Sequence, residues 1–505
     1  MLGAALAFAI SRAGLDDVVN ANGWSSFARF WSTVLRPEVS AEFLRLTWDA
    51  ALTTLAFALL GSILALIIGL IAGLALAERM GGSTWARRVL SVVGAAPRSV
   101  HEILIALLLV QVFGFDPIVA VLAIGIPFGA VTAKVFADAI DDADRASFDV
   151  LVASGARRLT AVVYGVGPHV RGELVGYSFY RFECAIRSAA VLGIAGVGGL
   201  GFQLDLSFES LRYREIWTLI AALMLLSGVA DAVSSSVRRS SRRLHLGWIT
   251  AVGVSSVMWS AWQVGLDVSS LWSPRTRQRL PEFADDLLPP RLGPGGWNEL
   301  WSATLDTAAL AVLSLVVAVV LGLIGAVVIR RPPSRRPGRP VEFVGASARR
   351  GLGRVVLLLF RAVPAPVWAF LFVLVLFPGL WPGAVALGVY NAGVLGRLFA
   401  EAIESQPSNA EDLVTLAGGR GVVRWAYGVL PQAAPRLTSL SLYRGEVIVR
   451  ETIVIGVVGA GGLGQLVRDH LVARDFAAVT GVVLVLVALA VAADSCGAAL
   501  RRTLR

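Results

Sequence analysis

Glu183 and Arg187 stand four residues apart in an otherwise apolar stretch, and Glu446 and Arg450 repeat that spacing later in the chain. On a helix, such spacing lets an acid and a base meet on one face. Each pair follows a Tyr-Arg dipeptide, Tyr180-Arg181 or Tyr443-Arg444. Charges cost several kcal/mol inside a bilayer, so these side chains must face protein or water. Two chemistries are open to them. The arginines line a path and favour an oxyanion, which a guanidinium holds through paired donors, or each neutralises its own glutamate and holds helices together. A glycine-rich turn comes next in both places, with Gly198, Gly199 and Gly201 answered by Gly461, Gly462 and Gly464, suited to close backbone approach.

Other chemistry finds no footing. The single lysine, Lys134, is followed by Val, so no phosphate-cradling Gly-Lys-Ser/Thr loop exists. His101, His169, His245 and His470 are scattered without metal-ligand spacing. Cys184 and Cys496 fall in apolar segments, as small buried residues do. Neither a nucleophile elbow nor a catalytic carboxylate pair is present, so no catalytic residue, metal or cofactor is expected in this chain.

The elements that must position these groups are membrane helices. Of 505 residues, 56% are hydrophobic and 16% charged, with mean hydropathy +0.72, against about 25% charged in soluble domains. The net charge of +10 gathers in short clusters, Arg87-Arg88, Arg238 to Arg243, Arg330 to Arg339, Arg349-Arg350 and Arg501 to Arg505. That pattern marks cytoplasmic loops and not a nucleic-acid surface. Spans are expected at 47–77, 89–113, 117–138, 214–236, 246–265, 301–329, 352–377, 383–403 and 476–498, with weaker ones at 172–192 and 437–457. Loops 78–88, 139–170, 237–245, 330–351 and 404–436 and the C-terminal tail then lie inside. Residues 1–14 are either the outer end of a spanning helix, since Gly14-Leu15-Asp16 repeats as Gly265-Leu266-Asp267, or an interfacial helix.

The chain is a tandem repeat. At an offset of 263, without a gap from Phe136 to Gly201, Phe136 meets Phe399, Tyr164-Gly165 meets Tyr427-Gly428, and the Tyr-Arg and glycine motifs superpose. Earlier, the offset is 253, pairing Gly69 with Gly322. Two homologous halves follow, 1–243 and 244–505, with cores at 45–236 and 300–498 and about six spans each. Parallel repeats of this kind make a pseudo-dimer around one path. In the second span Pro97 is paired with Pro364 as a kink, which leaves Arg98, His101 and Glu102 to the first half alone.

Both halves carry a long inner loop with an acid, a glycine six positions on, and a proline thirteen beyond: Asp149, Gly155, Pro168 and Asp412, Gly418, Pro431. The glycines allow a bend, and the prolines are expected to stop a helix ahead of the next span. These residues resemble the EAA loop of ABC-importer permeases, with Asp where that family has Glu and Gly167 in place of the Leu that Leu430 keeps. Together with the Tyr-Arg and glycine motifs, the chain is similar to phosphonate-transporter permeases of the PhnE type, over about 45–236 and again 300–498.

The resemblance implies an all-α polytopic protein of the type I importer fold in the bacterial cytoplasmic membrane, a fused duplicate needing no second permease chain. It implies two copies of an ATPase subunit docked on the EAA loops and an external binding protein for phosphonate, phosphate or a related oxyanion. It also implies alternating access, in which closure of the ATPase pair draws the loops together. The alternatives are a permease for another small solute and a secondary transporter, although a secondary transporter has no reason to repeat the acid-Gly-Pro spacing.

Overall fold

The computed structural model describes residues 2–14, 18–240, 246–330, 340–407 and 409–503. Leu15, Asp16, Arg242, Arg243, His245, the basic residues between 331 and 339, and Arg505 lie outside them. The described residues are predominantly helical, and the one β pairing among them is an isolated Val19–Leu376 bridge.

The first helices are α1 (Leu2–Ala13), α2 (Trp24–Ser32), α3 (Ala41–Leu76), α4 (Thr84–Ser99), α5 (Glu102–Phe113) and α6 (Pro117–Asp142). There follow α7 (Ala146–Ala153), α8 (Arg158–Ala161), α9 (Gly167–Leu192), α10 (Leu200–Glu209) and α11 (Tyr213–Ser240). The later set is α12 (Leu246–Val264), α13 (Pro274–Asp286), α14 (Gly296–Ile329), α15 (Pro340–Ala362), α16 (Ala365–Val373) and α17 (Leu380–Glu404). It closes with α18 (Asn409–Leu416), α19 (Val422–Arg424), α20 (Leu430–Ile455), α21 (Gly462–Val472) and α22 (Phe476–Thr503).

Packing divides the chain into two compact units, Arg29–Pro289 and Met1–Ala28 with Pro290–Arg505. The repeat boundary at 243/244 is therefore not the packing boundary. Within the first unit α12 packs on α3, and within the second α1 packs on α14. Arg12 on α1 pairs with Asp306 on α14 at 2.6 Å, and Trp381 Nε1 donates to the Gly14 carbonyl at 2.7 Å.

Each unit is built on one pair of crossing apolar helices, α3 with α6 or α14 with α17. Glycines bring the backbones together, which is how helices pack where burial from water supplies no drive. In the first unit, a Cβ at Gly61 would lie 2.7 Å from Ile124 and one at Gly125 2.5 Å from Leu64. In the second, a Cβ at Gly388 would lie 2.5 Å from Val317.

Two expected spans are broken. In place of 89–113 the chain runs through α4 and α5 with a 91° bend, and in place of 352–377 it runs through α15 and α16 with a 93° bend. Hydropathy registers apolar length and is blind to a bend of two residues. The breaks also correct the pairing of the halves. Ser99 corresponds to Ala362 and Glu102 to Ala365, so Arg98 matches Arg361 and His101 matches Pro364. Arg98 is thus common to both halves. His101 and Pro364 occupy the same N-cap position, with φ/ψ of −74°/144° and −57°/145°. Proline reaches that backbone through its ring; His101 reaches it by accepting the Ile103 N–H at 3.3 Å.

The weaker spans are the ends of α9 and α20. Each continues past its glycines into α10 or α21, with bends of 55° and 58°. Counting each bent pair as one, up to ten helical spans among the described residues are long and apolar enough to cross a membrane.

Candidate functional site

The inner loops fold alike in the two halves. α7 carries Asp149 in its first turn and ends at Ser154; α18 carries Asp412 in the same place. Gly155 and Gly418 then adopt φ of 86° and 88°, left-handed backbone that costs a residue with a Cβ about 1–2 kcal/mol. The Ala156 and Gly419 N–H groups close the helix ends by donating to the Leu151 and Val414 carbonyls at 3.0 and 2.8 Å.

What these loops present outward is apolar. Val150 is 65% exposed and its counterpart Leu413 66%, while Tyr164 is 74% and Tyr427 73% exposed. Leu159 and Val422, also equivalent, are exposed beside them. Such a patch in the same register twice is the mark of an interaction surface.

Pro168 and Pro431 stand differently from expectation. They sit in the first turn of α9 and α20, where a missing N–H costs nothing. Each opens its helix after a π-helical segment, Val162–Val166 or Trp425–Val429, instead of stopping one.

Beneath the loops the halves diverge. Glu411, one residue before Asp412, is buried and pairs with Arg330 and, at 3.4 Å, with Arg424. Its counterpart is Phe148, over whose ring the Arg79 guanidinium lies at 5.7 Å. Arg79 is buried and fastens the α6 end by donating to the carbonyls of Asp141 at 3.1 Å and Asp144 at 3.3 Å. Arg79 and Glu411 escape a motif search, because their partners are remote in sequence.

The intramembrane charges also differ between halves. On α9, Arg187 reaches Glu183 at 3.8 Å, as the spacing foretells. On α20, the Glu446 carboxylate pairs with Arg501 of α22, and Arg450 pairs with Asp494 at 3.4 Å. Gly497 makes room for that approach, since a Cβ there would lie 2.0 Å from the Glu446 carboxylate.

Arg444 is buried in a closed polar cluster. It donates to Asn391 Oδ1 and, at 2.9 Å, to Glu451, while Asn391 donates to Glu451 at 2.8 Å. Arg181, its counterpart, lies 4.9 Å from the ring centre of Phe128 and 5.3 Å from that of Tyr177, and its Nε donates to the Tyr177 hydroxyl at 2.7 Å. Phe128 stands where the second half has Asn391, and Ser188 where it has Glu451. Ser188 donates to Glu102, and Ala365 replaces that acid in the second half. Tyr180 and Tyr443 remain exposed.

The glycine turns complete the site. Gly193–Val197 and Gly456–Ala460 are π-helical, and Gly198, Gly199, Gly461 and Gly462 have positive φ. Gly201 and Gly464 pass so close to the preceding helix that a Cβ would lie 1.8 Å from the Ala190 carbonyl and 2.5 Å from that of Ile453. Thr54 and Thr307, which carry no sequence signal, hold the restarted helices. Their hydroxyls accept the Leu200 and Leu463 N–H groups, each at 2.9 Å.

Comparison with known proteins gives one family and close relatives. Residues 65–246 and 343–505 both match the family described as binding-protein-dependent transport system inner membrane component. The chain is 27% identical over 450 residues to the phosphate-import permease protein PhnE of Mycolicibacterium smegmatis, covering 86% of this chain and 81% of that one. It is 29% identical over 267 residues to the phosphite transport system permease protein PtxC of Stutzerimonas stutzeri, covering 52% of this chain and 92% of that one. No solved structure matches significantly.

Proposed function

The chain belongs to the family of binding-protein-dependent transport system inner membrane components, and from that premise we propose that it is the whole permease of an ABC importer for a phosphorus oxyanion. It is a multi-pass protein of the inner membrane, and its two family segments supply both permease halves in one polypeptide. The relatives named for phosphate import and phosphite transport support phosphate, phosphite or a phosphonate as the solute. The turnover energy comes from two copies of a separate ATPase subunit, and an external binding protein delivers the anion.

One observation carries the coupling role. Val150 with Tyr164 and Leu413 with Tyr427 form matching exposed apolar patches on the two inner loops. An ATPase subunit that buries each patch moves the half that carries it. α7 and α18 transmit that movement through Arg79, which follows α3 and bonds the α6 end, and through the Arg330–Glu411 pair. Alternating access then needs only that the two end states bind solute and nucleotide differently.

The test is reconstitution of the chain with its ATPase and binding protein in liposomes. ATP-dependent uptake of inorganic phosphate, phosphite or methylphosphonate is expected. Uptake of none of the three, with ATPase bound, would refute the oxyanion reading; uptake without ATP would refute the ABC reading.

A further inference from the structure

We propose that Arg181 is the residue that contacts the transported anion inside the membrane, and that the first half alone supplies this contact. The inference rests on the oxyanion reading above and goes further by naming the residue and the half.

The four arginines of the two Tyr-Arg segments are not equivalent in charge. Arg187 is beside Glu183, Arg450 is beside Asp494, and Arg444 is held by Glu451 and Asn391. Each of these three charges has a carboxylate within 4.0 Å that offsets it. Arg181 is the exception: no carboxylate lies within 4.0 Å of it among the described residues, and its one hydrogen bond is from Nε to a neutral phenol. Its terminal nitrogens carry no protein partner among those residues.

A guanidinium does not lose its proton, so Arg181 stays cationic in a setting where an uncompensated charge is expensive. The rings of Phe128 and Tyr177 offset part of that cost. They also fix the plane of the fork. A planar, oriented fork whose two terminal nitrogens have no protein partner among the described residues fits two oxygens of a tetrahedral phosphorus oxyanion through that one edge. The rings hold it without competing as an anion does, so a solute can bind and leave.

The chain itself shows how this site is switched off. Around this arginine the halves differ at Phe128 against Asn391, Tyr177 against Leu440, Ser188 against Glu451, and Glu102 against Ala365. In the first half the acid sits on α5 and takes the Ser188 hydroxyl; in the second it sits on α20 and takes the arginine. Moving one carboxylate from the bend to the neighbouring helix converts an open cation into a closed cluster.

The experiment uses the assembled importer in liposomes and measures uptake of inorganic phosphate, phosphite and methylphosphonate per complex. The first variant is Arg181→Gln. The second combines Glu102→Ala, Phe128→Asn, Tyr177→Leu and Ser188→Glu, which gives Arg181 the residues that surround Arg444 at unchanged net charge. Both are expected to lower uptake roughly tenfold or more, the loss of one charge-assisted contact. Arg181→Lys, which keeps the charge and loses the fork, should fall between Gln and wild type. Wild-type uptake by either of the first two variants, once assembled, overturns the assignment to Arg181. Failure of the unmodified importer to carry any of the three anions overturns the oxyanion reading instead.

Discussion

The Thr54 hydroxyl accepts the Leu200 N–H at 2.9 Å across 146 positions of sequence, and it donates in turn to the Ala50 carbonyl at 3.0 Å. One side chain therefore ties α3 to the start of α10. Thr307 repeats the arrangement on Leu463 and Ala303. Replacing either threonine with valine keeps the shape and orphans a buried amide, a loss of about 1–3 kcal/mol. Thermal unfolding of the purified complex should show lower midpoints for both variants, with Thr54→Ser close to wild type.

The exposed inner-loop patches lead to a different outcome. Tyr164→Ala and Tyr427→Ala remove side chains that are 74% and 73% exposed. Thermal stability should hold, while ATPase co-purification and ATP-driven uptake fall, each tyrosine contributing about 2 kcal/mol as an interface anchor. Full co-purification of the double variant would show that the ATPase docks elsewhere.

Glu411 and Phe148 occupy equivalent positions with unequal stakes. Glu411→Gln leaves Arg330 and Arg424 without their buried carboxylate, a loss of about 3–5 kcal/mol. Phe148→Leu gives up an Arg79 contact over the ring worth about 1 kcal/mol. Unfolding measurements should rank them in that order, and comparable losses would contradict the pairing described.

Steric crowding at the glycine turns is the sharpest local constraint. Gly201→Ala drives its methyl into the Ala190 carbonyl, whereas a Cβ at Gly82 meets nothing within 4 Å. Gly201→Ala should abolish uptake or assembly, and Gly82→Ala should leave both at wild-type level in the same membranes.

Much of this fold is written in the chain and some of it is not. The repeat and the acid-Gly-Pro loops are legible because each is a pattern of residue types at fixed spacing, whereas of the eleven expected spans 246–265 is not among the up to ten that qualify among the described residues. The bends at Ser99–Glu102 and Ala362–Ala365 are not, since one uses His101 and the other Pro364 for the same backbone. Matching Pro97 to Pro364 followed residue type where matching Arg98 to Arg361 follows geometry. Thr54, Arg79, Asn391 and Glu411 were invisible for another reason. A single polar residue in an apolar helix, as Thr54 and Asn391 are, has no local signature, and neither has one charge among others in an inner loop, as Arg79 and Glu411 are; tertiary packing sets the partner of each.

Because α12 packs within the Arg29–Pro289 unit and α1 within the other, that unit is one continuous segment inserted into its partner's chain. A cut between 241 and 245 would separate the repeats yet give each fragment a helix that belongs in the other's core. The two fragments would then form an obligate complementation pair. In a relative built from two separate half-length chains, the same packing would amount to a reciprocal domain swap. Fusion turns that exchange from a concentration-dependent association into an intramolecular one.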